Sequence, residues 1–460
     1  MKQNKHKLLN IWRGSRSTRK FLVVVFAIIA VLMVDVAVST VIDFFQPQIS
    51  SNLGVIFFIL VGLAFALGQY FVLSFVQERT KVIRSRSRSL QVIGVVTVVT
   101  QYALICFLVV SVLQMVLVAS YSSVLLSASV TVTYALSITT LGVLSYRFLS
   151  WYRSNRNSFI LLYGLAAAVT TVNGMLALAF FDAVLVTKPA EIAAGSMPMV
   201  QVEPSSVVAT VQDTFKFSAI ASFALLWVSS VLLIRQYYYQ RFGRKKYWLI
   251  ASAPLVYLII YFVTEPLFDI ANAADPTLQF YYFILFSFWN AAGGMIFGAA
   301  FIRVARSVKT GSPVKDYMII AGCGLILLFV SGGATVIHNP YPPFGFATTA
   351  FIGLSSYMLL LGLYSSAVSV SQDIRLRLSI RRSVFEESKL LDRIGSAEMQ
   401  LELQKKVIKI AKDTSDNLKD QSGIEPSITD DDIKQYLKLI TKERDRHKTH
   451  STDETDQGDS

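Results

Sequence analysis

Two stretches of this chain carry no Asp, Glu, Lys or Arg at all: 58 positions from Ser89 to Tyr146, and 56 from Tyr317 to Gln372. As single helices they would be more than about 80 Å long, against a bilayer hydrocarbon core of about 30 Å. Each must therefore cross a membrane twice. No period-two alternation accompanies them, so helices, not barrel strands, make the crossings. Only 16% of the 460 residues are charged and 53% are apolar, against about 25% charged in ordinary soluble domains. A soluble enzyme, a nucleic-acid-binding domain and a disulfide scaffold are excluded. Cys106 and Cys323 both fall inside spans and read as small packing residues.

Charge-poor stretches mark ten spans, near 21–45, 52–76, 90–118, 121–146, 158–187, 217–234, 247–266, 279–302, 317–337 and 346–371. Of the 26 Lys and Arg in residues 1–371, 24 fall on alternate loops, and only Lys188 and Lys216 on the other side. Short cytoplasmic loops keep such an excess, which predicts a multi-pass protein of the cell membrane with both termini cytoplasmic. The first span follows a basic segment, as a secretory signal would. Its apolar stretch exceeds the roughly 7 to 15 residues of a signal and no cleavage site follows, so it reads as a retained anchor. The net charge of +13 divides into +15 over residues 1–371 and −2 over 372–460. The basic excess is thus an orientation signal, and no nucleic-acid partner is expected.

The expected fold is all-α, a polytopic transmembrane helical bundle with a cytoplasmic helical tail. Residues 1–20 form a basic cytoplasmic N-terminus, 21–371 the ten-span domain, 372–446 the helical tail and 447–460 a disordered end. Arg375, Arg377, Arg381 and Arg382 follow the last span, as a collar for anionic lipid headgroups or a stop-transfer signal. Val384, Leu391, Ile394, Met399, Leu403, Val407 and Ile410 keep a rough three-to-four spacing, interrupted at Gly395. They suggest a short coiled coil or a helix lying on the loops. Thr429 before Asp430, Asp431 and Asp432 predicts the start of a second tail helix. Docking of a cytoplasmic protein or self-association is what such a tail offers.

The string from Ser379 to Met399, Ser-Ile-Arg-Arg-Ser-Val-Phe-Glu-Glu-Ser-Lys-Leu-Leu-Asp-Arg-Ile-Gly-Ser-Ala-Glu-Met, preceded by Ser369-Val-Ser-Gln-Asp373, resembles the tail of a group of uncharacterised polytopic membrane proteins from ammonia-oxidising archaea. The resemblance is clearest over 365–445. It implies an archaeal cell membrane and a recurring architecture, and it brings no catalytic residues with it.

Asp35 is the only acid well inside a span. Inserting one costs about 2.5 to 3.5 kcal/mol, which marks it as a functional candidate, against a carboxyl hydrogen-bonded within the bundle. Asp182, Glu265, Asp269 and His338 fall on the outer side of the predicted membrane domain, and together with Asp35 could line an outward-facing cavity for a cation or cationic ligand. The competing reading is an acidic face left by the depletion of Lys and Arg. Asn290 beside Trp289, and Asn173, fit ligand contact or interhelical hydrogen bonds. Gly294 and Gly298 predict close helix packing; Pro254 and the Gly332-Gly333 pair are candidate hinges.

No phosphate loop, His-Glu-x-x-His, zinc-spaced Cys pair or Gly-x-Ser-x-Gly occurs, so no enzyme activity, cofactor or metal is expected. The reading that remains is a sensory or regulatory membrane protein whose tail contacts a partner. A secondary transporter with five plus five spans is the alternative.

Overall fold

The computed structural model describes residues 2–45, 51–85, 87–186, 189–194, 206–271, 285, 288–308, 312–333, 341–373, 377 and 389–422, with side chains over part of these. The chain folds as an all-α bundle. Its elements are α1 (Lys2–Phe45), α2 (Ser51–Arg84), α3 (Arg88–Val118), β1 (Ser120–Ser122), α4 (Ser123–Ser154), α5 (Ser158–Val186), β2 (Glu191–Ala193) and α6 (Ser206–Ala271). After them come α7 (Trp289–Ser307), α8 (Pro313–Ser331), α9 (Phe346–Gln372) and α10 (Lys389–Ser422). Among the described residues nine segments are helical, long and apolar enough to cross a membrane, two of them in α6. This is a multi-pass membrane protein. The expected eighth span corresponds to α7, whose first turns as predicted lie outside the described residues.

Two expectations about boundaries are corrected. The basic stretch 235–246, read as a loop, is helical up to a break at Gly243, where φ is 78° and ψ 162°. Aromatic and basic residues are adequate helix formers, so leaving the apolar window does not itself end the helix. The break falls there and not at Pro254, which lies inside the helix that follows. Likewise α6 begins at Ser206, well before the span expected from 217. The Gly332-Gly333 pair ends α8, Gly332 N donating to Leu328 O, so it terminates a span and does not hinge one.

The two short strands were not foreseen. β1 pairs antiparallel with β2, Tyr121 opposite Ile192, and the Ser123 hydroxyl donates to Pro189 O at 2.8 Å. The α3–α4 and α5–α6 connections are thereby tied together at one end of the bundle, here the ribbon end.

Burial is very uneven. Every position in the apolar window of α9 is buried, and most of α8, while in the other spans half or fewer are buried. The two last spans are thus the axis of the bundle. Their sequence explains how they pack. Gly324 of α8 lies against the α9 backbone, where a Cβ would meet Leu359 N and Ser355 O at 2.9 Å, and at Gly362 of α9 one would meet Tyr317 O at 2.6 Å. Absent side chains let the backbones touch, the usual solution where lipid offers no hydrophobic drive between helices. Gly298 of α7 approaches Gly322 of α8 in the same way, as its spacing with Gly294 predicted.

The axis is also rich in hydroxyls. Ser355, Ser366 and Ser371 bond back to carbonyls of their own helix, while Ser356 reaches Ser137 of α4 at 2.6 Å. Such groups suit a helix that faces protein all round, where each cross-helix bond contributes about 0.6 kcal/mol.

By internal contacts the chain divides into Met1–Gly395 and Ser396–Ser460. Within the first unit, Leu390, Leu391 and Ile394 at the start of α10 are buried. Gly395 does not interrupt α10. Its bare Cα sits against Val370 near the C-terminus of α9, so a side chain there would collide. Arg393 lies over the Phe159 ring at 5.0 Å and reaches Asn157 Oδ1 at 3.4 Å. Within the second unit, Leu403, Val407 and Ile410 are exposed.

Candidate functional site

Asp35 is completely buried. It stands near the ribbon end of α1, facing the first turn of α9. Gly345, at the N-cap of α9, takes φ 87°, a left-handed conformation that glycine adopts without a Cβ penalty. No side chain of its own can then cap the helix, and Asp35 does so from α1. Its Oδ1 accepts from Gly345 N at 3.1 Å, and its Oδ2 from Thr348 N at 3.2 Å and the Thr348 hydroxyl at 2.6 Å. The first N–H groups of any helix lack intrahelical partners and carry the positive end of its dipole. A carboxylate is the group that satisfies both. Of the two readings of Asp35, the structure supports the carboxyl held within the bundle.

Aromatic packing steadies this corner. Phe344 lies between Phe57 and Phe58 of α2, each centroid 5.9 Å away. Tyr341 stacks near Tyr121 of β1 at 6.3 Å and donates from its hydroxyl to Met115 O at 3.3 Å. The segment entering α9 therefore joins α1, α2, α3 and the ribbon.

Among the described residues, no other predicted site residue bonds to Asp35. Asp182 is exposed on α5, and Asn290 is half-buried in the first turn of α7. Glu265, Asp269 and His338 lie outside the residues whose side chains are described, as do Arg375, Arg381 and Arg382 of the collar. Arg377 is half-buried, and its backbone N donates to Asp373 O at 3.0 Å. Among the described residues no three His, Cys, Asp or Glu are grouped to hold a metal ion. Asn173 accepts from the Ser218 hydroxyl at 2.7 Å, an interhelical bond as one of its readings anticipated. The second tail helix and the segment 447–460 lie outside the described residues.

A second polar junction, not singled out from sequence, lies at the opposite end. Arg79 of α2 pairs with Asp316 of α8 at 3.1 Å, and Thr18 of α1 donates to Asp316 at 2.8 Å. Arg79 also covers the Phe75 ring at 5.3 Å, and Arg147 covers Tyr364 of α9 at 5.1 Å. The sequence signal that could have found Asp316 is its isolation among the basic residues Arg303, Arg306, Lys309 and Lys315.

The arrangement is one of clamps. α9 is held at its N-terminus by a carboxylate from α1, and near its C-terminus it receives α10. No family model, curated protein or solved structure matches the chain.

Proposed function

We propose that this is a sensory or regulatory protein of a cell membrane, without a chemical step of its own, in which α9 relays the state of the ribbon end to the tail. The observation that carries it is the span of α9. One unbroken helix, buried at every position from 346 to 368, touches Asp35 at its first turn and Gly395 of α10 near its last. A stimulus that moved the entry segment 341–345 would shift that rod, and the tail helix would register the shift. In this reading both termini are cytoplasmic, the arginines after α9 hold anionic headgroups, and the tail contacts a protein partner or a second copy. The backbone-to-backbone contact of α8 with α9 also favours it over a transporter, whose sites form at broken helices that part.

The test is hydrogen exchange on full-length protein in nanodiscs, comparing native chain with Asp35→Asn. Faster exchange over residues 389–395, on the far side of the membrane domain, is the expected result. Unchanged exchange there would break the proposed relay. Solute uptake into proteoliposomes, abolished by the same substitution, would replace the proposal with the transporter.

A further inference from the structure

Two glutamines sit inside the membrane domain with no exposure to speak of: Gln69 on α2 at 1% and Gln101 on α3 at 0%. They are neighbours, since Gln69 Nε2 donates to the Gln101 backbone O at 3.0 Å. Beyond that bond, Gln69 Oε1 and both Gln101 side-chain atoms, Oε1 and Nε2, have no partner among the described residues. A primary amide offers two donors and an acceptor with two lone pairs. Left bare in a hydrocarbon-embedded interior, these groups cannot borrow bonds from bulk solvent.

The unmet inventory says what would close it. Two oxygens need a donor and one nitrogen needs an acceptor. If Gln101 Nε2 turned to Gln69 Oε1, Gln101 Oε1 would still be bare; reversing the amide only exchanges which atom is left over. A cation would suit the two oxygens and be repelled by the N–H groups between them. A small neutral molecule that both donates and accepts meets all three, and water, which makes about three bonds when buried, is the smallest. A third buried polar group borders the same face of α3. The Tyr357 hydroxyl of α9 is buried without a bond of good geometry, and it lies 3.1 Å from where a Cβ at Gly94, two turns before Gln101, would stand. The Arg84 side chain borders that point at the same distance.

We infer that Gln69 and Gln101 form a binding site for internal water between α2 and α3, in the middle of the membrane domain. It is separate from the Asp35 clamp and does not depend on the proposed function.

The experiment uses full-length protein in lipid bilayers, labelled with 15N at glutamine side chains, and water-edited solid-state NMR. Exposed Gln372 provides the reference signal, and the variants Gln69→Leu and Gln101→Leu assign the two buried amides. The site predicts that both amides draw polarisation from water, and that the Gln101 signal is reduced when Gln69 is replaced. Amides that draw none while Gln372 does would overturn the inference in favour of a dry amide pair. Amide signals that shift when sodium replaces potassium would overturn it in favour of a cation. A native-like spectrum outside the substituted residues shows that each variant has folded.

Discussion

Asp35 and Thr348, 313 positions apart in the chain, share two hydrogen bonds, one from the Thr348 backbone and one from its hydroxyl at 2.6 Å. The pair joins a helix end to a carboxylate, so each partner covers a cost of the other. The helix N-terminus gains acceptors, and the carboxylate gains donors and a favourable dipole.

Asp35→Ala removes the acceptor of Gly345 N and Thr348 N, and leaves the Thr348 hydroxyl only the long bond to Leu32 O at 3.5 Å. Stranding such buried donors costs about 1 to 3 kcal/mol. Asp35→Asn keeps one oxygen that can still accept. Thermal unfolding in detergent should place the Ala variant below the Asn variant, and both below the native chain. Equal stability of all three would mean that the clamp holds nothing.

The Arg79–Asp316 pair is partly exposed, at 24% and 17%, so solvent screens it and its coupling should be small, about 1 kcal/mol or less. A double-mutant cycle with Arg79→Ala and Asp316→Ala should find that coupling, and added salt should reduce it. Asp316→Ala should cost more than Arg79→Ala, because it also removes the acceptor of Thr18.

Gly362→Leu places a side chain where even a Cβ meets the α8 backbone at 2.6 Å. Overpacking a filled core costs typically about 1 to 3 kcal/mol, and backbone on the facing side yields least. Size-exclusion profiles should show this variant losing its monodisperse peak. Leu at Gly142, where the nearest atom to a Cβ is a Thr171 methyl at 3.8 Å, should elute as the native chain does.

Gly243→Ala tests the opposite case. No atom lies within 4 Å of a Cβ there, yet φ is 78°. The penalty is conformational alone, about 1 to 3 kcal/mol. The variant should either unfold earlier or straighten the break, and distances between spin labels on the two arms of α6 would tell which.

What could be read from sequence follows from what each signal measures. Freedom from charge over Ser89–Tyr146 and Tyr317–Gln372 located spans, because the bilayer tests every residue of a crossing helix alike. It could not reveal that α9 is the axis, since lipid and protein interior are similarly apolar. The serines and glycines of α9 were the available sign. Asp35 stood out by its charge, but Thr348 could not, because nothing local ties it to a residue on α1. Gln69 and Gln101 escaped for a related reason: an uncharged amide leaves a charge-free run unbroken. The loop expected at 235–246 failed because charge ends a membrane crossing, whereas only backbone geometry, here Gly243, ends a helix.

The axial position of α8 and α9 has a consequence for biogenesis. Both are synthesised after the helices that surround them, so the wall enters the bilayer before the rod that fills it. Until residues 345–348 arrive, Asp35 has none of its three donors and stands in the bilayer as an uncapped carboxyl, at about 2.5 to 3.5 kcal/mol. Closing that clamp is therefore a late assembly step. A chain stalled before α9 would display a lone buried acid, the kind of mark by which an unfinished membrane protein can be told from a finished one.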